Sequence, residues 1–223
     1  MKRRTLNNPW KLMKLGLASA SLALLTLSVQ AQEQEQHSNP NVRLGQKALL
    51  DGDFKAAAAH LKKALPAEEN DPDVYYLLGY SQFHNGAYTN AIETFKKVIA
   101  LDPNHTSAYY YKAKASNNLA VTPGGKLGNS AKEQLLKKAI EDFSKAISIT
   151  ANDAKLYQNR AIAYRDLGIL LGTSGTDNYD KTQATDAYNK AVSDYEKVLT
   201  FDASRKDIQT EVKKAKVYRD NLK

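Results

Sequence analysis

Residues 123–128, PGGKLG, set Lys126 among glycines in the manner of a loop that cradles phosphate. That chemistry needs a glycine five residues before Gly125, a serine or threonine directly after the lysine, and a strand feeding the loop. Here position 120 is Ala120, Lys126 is followed by Leu127, and the pattern before the loop is helical, so nucleotide binding of that kind is excluded. The four histidines, His37, His60, His84 and His105, are scattered. None has a second histidine or a carboxylate pair at ligand spacing on one helix face, so they read as solvated surface side chains, and neither a metal nor another cofactor is expected. Serine, histidine and acidic residues occur, but none lies in a glycine-flanked elbow or other catalytic frame. With no cysteine there is no disulfide, thiolate metal site or cysteine nucleophile. The expectation is a protein that is not an enzyme.

The formal charge of +8 suggests nucleic acid until its distribution is considered. Five basic residues (Lys2, Arg3, Arg4, Lys11, Lys14) fall in the first 31 positions, which hold no acid. The remainder carries 27 basic against 24 acidic residues with the signs interspersed. That is an ordinary protein surface and not a phosphate-binding stripe, so no nucleic acid partner is expected. The basic start, the uncharged run LGLASASLALLTLSV and small residues at Val29 and Ala31 have the three-part layout of an export signal over residues 1–31. The other reading is a retained membrane anchor, because the uncharged stretch from Leu15 to Gln32 reaches 18 residues, although its serines and alanines make it a poor span. Residues 32–40 read as a polar, disordered linker.

The rest of the chain must position any functional surface, and it is repetitive. AIETFKKVIALDPN from Ala91 returns as AIEDFSKAISITAN from Ala139 and AVSDYEKVLTFDAS from Ala191, with a fainter copy, AAAHLKKALPAEEN, from Ala57. A second helical pattern precedes each copy, clearest in DVYYLLGYSQFHNGAY at Asp73–Tyr88. Asn85–Gly86 breaks that first helix and Pro103 ends the second, giving a helical hairpin. Small residues mark the register: Gly45, Gly79, Ala113 and Ala161 on the first helices, Ala57, Ala91, Ala139 and Ala191 on the second. The steps 57 to 79, 91 to 113 and 139 to 161 are each 22 residues, and 45 to 57 and 79 to 91 are each 12, so the period is 34.

This period, with Tyr75, Leu78, Gly79, Tyr88, Ala91, Phe95 and Pro103 in order, closely resembles the tetratricopeptide repeat family over roughly residues 41–204. The departures are Asn41 for an aromatic residue, Lys112 and Arg160 for leucine, and Ala151 and Ala203 for proline. The expected fold is all-α, an α-solenoid (right-handed superhelix) of four hairpins at about 41–71, 72–105, 106–153 and 154–204. Residues 205–223 form a C-terminal capping helix with Ile208, Val212, Ala215 and Leu222 on its buried face.

The register breaks twice. Ala113 to Ala139 is 26 residues and Ala161 to Ala191 is 30, excesses of 14 and 18 over 12, whereas the steps between hairpins are unchanged. Both insertions therefore fall in the turn of a hairpin and should lie side by side. Ser130 with Glu133 has the pattern of a capping box for a lengthened helix. Ile169, Leu170 and Leu171 are expected to zip a projecting extension against Ala184 and Tyr188. Such an edge is also a candidate partner site.

The resemblance implies a concave groove lined by first-helix side chains. On this chain the groove set is Tyr76, Tyr80, Phe83 and His84, then Tyr110, Lys114 and Asn117, then Gln158, Ile162 and Arg165, expected to be partly exposed. Tyr75, Tyr109 and Tyr157 are expected in the core. A subfamily that clamps acidic chaperone C-termini uses Lys, Asn and Asn where this chain has Val42, Gln46 and Leu77, so that clamp is absent. The implied function is a protein–protein interaction scaffold of the cell envelope, periplasmic or secreted, holding a peptide or helix of a partner. The alternative is a membrane-tethered structural subunit of an envelope assembly or secretion complex.

Overall fold

The computed structural model describes residues 37–222. The expected leader at 1–31 and most of the expected linker lie outside them; within the linker, Pro40 is already helical, with Asn39 capping it. The body from Asn39 onward is a succession of nine α-helices, with no strand among the described residues. They are α1 Pro40–Leu50, α2 Phe54–Ala64, α3 Pro72–His84, α4 Tyr88–Leu101, α5 Thr106–Val121, α6 Asn129–Ile149, α7 Ala154–Gly172, α8 Lys181–Phe201 and α9 Lys206–Asp220. Each helix packs on the ones before and after it, and consecutive first helices (α1, α3, α5, α7) also touch, so the hairpins stack as an α-solenoid closed by α9.

Six of the nine helices begin where a side chain supplies an acceptor for backbone N–H groups left without intrahelical partners. Asp53 accepts from the Ala56 N–H at 2.8 Å and Asp71 from Asp73 at 2.8 Å. His105 does the same with Nδ1, accepting from Ala108 at 3.1 Å. The capping box expected at Ser130 is not made: α6 starts at Asn129, behind Gly128, which puts Ser130 inside its first turn, and Glu133 instead takes Lys137 Nζ at 2.6 Å. The short turns of the first two hairpins need glycine. Gly52 and Gly86 have φ of +75° and +76°, a region where a Cβ is strained. Pro103 follows α4, yet α6 and α8 end at the matching places without proline.

The marker residues meet in the core. Gly45, Gly79, Ala113 and Ala161 are buried, as are Ala57, Ala91, Ala139 and Ala191. A Cβ added to Gly79 would lie 2.8 Å from Phe95 Cε1, and one on Gly45 would lie 2.6 Å from Leu61 Cγ. The small residue therefore seats the large side chain four positions beyond the second-helix alanine: Leu61, Phe95, Phe143 and Tyr195 in the four hairpins. On α9, Ile208, Val212 and Ala215 are buried against α7 and α8.

The two insertions lengthen α5–α6 and α7–α8 beyond the stack, and the extensions share one apolar cluster. Ala120 and Leu136 of the third hairpin pack with Leu167, Leu171, Ala184 and Ala187 of the fourth. Asn129 to Asp177 at 3.0 Å ties the loops together. Ile169 departs from expectation: it is exposed, and Leu171 alone of that triplet is fully buried. Gly168 lets the Tyr188 ring approach, where a Cβ would meet it at 2.9 Å.

Candidate functional site

The first helices place corresponding side chains one above another along the wall they share. Tyr76, Tyr110 and Gln158 are one row, Tyr80, Lys114 and Ile162 the next, Phe83, Asn117 and Arg165 the third. At its N-terminal half the wall is a continuous ring network. Tyr80 lies 4.3 Å from His84 and 5.1 Å from Tyr111, centroid to centroid, and Tyr76 stacks on His105 at 4.8 Å. Phe54, from the preceding hairpin, stacks on His84 at 4.8 Å. Tyr111 is the hub, touching the rings of Tyr76, Tyr80, Phe83, His84, Phe95 and Tyr110.

Three residues of the expected groove set are not open to a partner. Phe83 is 8 % exposed, Tyr110 5 % and Asn117 7 %. Conversely Tyr75, Tyr109 and Tyr157 are only half-buried, and the fully enclosed positions belong to the residues just before them, Val74, Ala108 and Leu156. One residue is about 100° around a helix. A first helix is covered both by its own partner and by the next hairpin, which widens its buried face and takes in Tyr110. His84 is exposed, whereas Tyr76, Tyr80, Lys114, Gln158, Ile162 and Arg165 are partly so.

Electrostatics divide the wall. Burial raises the phenols of Tyr76, Tyr110 and Tyr111, Tyr110 to about 12, so all stay neutral donors at physiological pH. Lys114 and Lys155 both approach the Tyr110 ring, at 5.5 and 4.6 Å. Desolvation and then the charge of Lys155 lower the Lys114 ammonium, and desolvation followed by Lys114 lowers His84. Neither lysine makes an ion pair among the described residues. The C-terminal half is different, because its cation is already engaged. Arg165 donates to Asp166 at 2.9 Å and to Glu211 of α9 at 3.0 Å, while Arg205 reaches Gln158 at 3.2 Å. Asn117 donates to Asp166 at 3.0 Å. The cap thus occupies Gln158 and Arg165, leaving beside them a cleft of about 410 Å³.

His84 is exposed, as expected, but joins the ring network; His105 departs from expectation, being half-buried, stacked on Tyr76 and the cap of a helix. Tyr111, the hub, was missed, for its sequence position holds Leu77 one repeat earlier. Lys112 and Arg160, which stand where leucine was expected, are paired with the second helices. Lys112 Nζ lies 2.9 Å from Asp142 Oδ1, and Arg160 holds Asp194 at 2.7 and 2.8 Å. The corresponding residues of the second hairpin are Leu78 and Thr94, so the signal was a basic residue and an acid changing together.

Residues 48–116 match the sequence profile described as tetratricopeptide repeat. No curated protein matches the chain. Among solved structures, a MamA protein superposes with a TM-score of 0.50 at 23 % identity, over 81 % of this chain and 90 % of that one. MamA of Desulfovibrio magneticus RS-1 does so with a TM-score of 0.50 at 21 % identity, over 80 % and 92 %. At such identities the likeness is one of fold.

Proposed function

The chain is a tetratricopeptide-repeat protein, and from that premise we propose that it is a non-enzymatic scaffold that binds a segment of another protein along its first-helix wall. The observation that carries this reading is the half-exposed ring network of Tyr76, Tyr80, His84 and Tyr111, flanked by Lys114 and Lys155. Aromatic rings offer much contact area with few torsions to freeze, and a stacked solenoid presents them already ordered, so little entropy is lost on binding. The fold warrants binding as a class of activity; the ligand is set by the wall's own chemistry. The basic, apolar, small-residue order of residues 1–31 supports a place of work in the cell envelope, periplasmic or outside the cell.

The test is a display of random peptides against the purified protein. Selected peptides should lose at least tenfold in affinity for Tyr80→Ala combined with His84→Ala, a variant that should keep the parent's helical signal and a cooperative melt. Unchanged affinity in that double variant would refute wall binding. Tyr110 is a poor probe, because its burial ties it to stability.

A second reading rests on the uncharged run from Leu15 to Gln32: retention of that segment would make the stack a membrane-tethered member of an assembly or secretion complex. Among the described residues no helix is long and apolar enough to cross a membrane. Sequencing the N-terminus of protein from its native host separates the two, a start at Gln32 favouring the free scaffold and an intact start the tether.

A further inference from the structure

Lys114 and Lys155 converge on one ring. Their ammonium groups lie 5.5 and 4.6 Å from the centre of Tyr110, and Lys114 also lies 5.6 Å from that of Phe83. Lys155 is exposed and Lys114 partly so, and neither makes an ion pair among the described residues. The acids of this wall and its cap are engaged. Asp153 caps α7 by accepting from the Lys155 N–H at 2.8 Å, Asp166 takes Asn117 and Arg165, and Glu211 takes Arg165 and Lys214. Two neighbouring cations, one of them partly desolvated, are thus steadied by ring faces and by no carboxylate. Ring faces offset only part of that cost, and what the pair lacks is an anion.

The two insertions carry the same wall outward. α5 and α7 run to 16 and 19 residues, against 13 for α3. Lys114, Asn118 and Val121 follow one another at steps of four and three and so share a helix face; Ile162, Asp166 and Ile169 repeat them 48 residues later. Helix α3 stops at His84, the counterpart of Asn118, so an uninterrupted hairpin has no place for the step that Val121 and Ile169 make. Both are large apolar side chains, 47 % and 45 % exposed, on first helices that touch. They form an apolar ledge two turns, or about 10 Å, along the helix from Lys114.

We propose that the partner segment held on the first-helix wall is acidic in one part and apolar in the next, its carboxylate lying against Lys114 and Lys155 and its apolar side chains covering Val121 and Ile169. This rests on the wall-binding reading and names what the wall selects. A carboxylate there gains charge-assisted hydrogen bonds, strengthened because the surrounding rings keep water away. A polypeptide fits better than a nucleic acid, which needs a longer row of cations: the next one along the wall, Arg165, is already neutralised by Asp166 and Glu211. Neither part belongs to the chaperone clamp, whose places hold Val42, Gln46 and Leu77, and the ledge exists only through the insertions.

The test displays random dodecapeptides against the purified protein. Those selected should be enriched at least threefold in Asp and Glu over the library. Their affinity should fall at least tenfold for Lys114→Gln combined with Lys155→Gln, and likewise for Val121→Ser combined with Ile169→Ser, each with the parent's helical signal retained. Should the lysine pair not fold, Lys155→Glu alone, at an exposed position, should cost the same tenfold. Binders without acidic enrichment, or affinities unchanged in the lysine or the ledge variant, would overturn the inference; if those binders still depend on Tyr80 and His84, the wall reading survives it. A selection that yields no binder refutes both. Acid-free binders together with tight binding of a single-stranded oligothymidylate, lost in the lysine variant, would give the pair to nucleic acid and overturn the inference as well.

Discussion

Arg160 grips Asp194 at two points, Nε donating to Oδ2 at 2.7 Å and Nη2 to Oδ1 at 2.8 Å, while Nη1 donates to Ser144 Oγ at 3.0 Å. The pair bridges the two helices of the fourth hairpin at the level where the second hairpin has Leu78 and Thr94. Hydrogen bonding to Asp194 chiefly raises the guanidinium, so the charge is permanent. Removing one partner leaves the other charge mostly buried. Asp194→Ala should therefore cost about 2–4 kcal/mol, somewhat below the range for a fully enclosed pair. Arg160→Leu with Asp194→Thr, which copies the second hairpin, should recover most of that loss. Urea denaturation of the three proteins decides it, and a single variant as stable as the parent would show that the pair does not hold the hairpin.

Gly79 seats the Phe95 ring, and the measure of that role is what one methyl does. Gly79→Ala puts a carbon 2.8 Å from Cε1 of an enclosed ring, which should cost about 1–3 kcal/mol by overpacking. Gly86→Ala meets open space, so only its φ of +76° opposes it, at about 1–2 kcal/mol. Restoring volume by Phe95→Leu should rescue stability in the first variant and not in the second. Thermal melts of the singles and doubles test the distinction.

Adjacent tyrosines on the wall should behave differently. Tyr110→Ala empties an enclosed site beside Phe143 and should cost about 3–5 kcal/mol. Tyr80→Ala removes a half-exposed ring and should cost under about 2 kcal/mol. Comparable destabilisation by the two would contradict the burial pattern. The useful binding probes are accordingly Tyr80 and His84.

Acidity should act on stability in two opposite senses. Burial raises the Asp142 carboxyl despite Lys112, so the folded chain holds that proton more tightly than the unfolded chain. Its contribution is fully present below the ordinary value of about 3.9 and is lost as pH rises through the higher folded value. Asp207 is held at about 2, first by its hydrogen bond from Arg205, and its contribution is present above about 3.9 and lost as pH falls through about 2. Urea midpoints between pH 2 and 7 should show Asp142→Asn flattening the upper part of the profile and Asp207→Asn the lower. An unchanged profile in Asp142→Asn would mean that its carboxyl titrates alike in both states.

The repeat was legible in the chain because small residues are the only ones that allow two helices to seat a Leu, Phe or Tyr between them. Gly45, Gly79, Ala113 and Ala161 therefore recur wherever that contact does, and the 12- and 22-residue steps disclose the hairpins, both insertions and the cap. The exposure of individual wall residues was not legible. Periodicity locates a helix face only to within about one residue, or 100°. Whether Tyr109 or Tyr110 is enclosed depends on the next hairpin, which arrives from tens of residues away. The same holds for Arg165, which sequence placed in an open groove and α9 neutralises through Glu211. Sequence displayed Lys112 and Arg160 as departures from leucine; only packing joined them to Asp142 and Asp194, because a pair across two helices has no local signature.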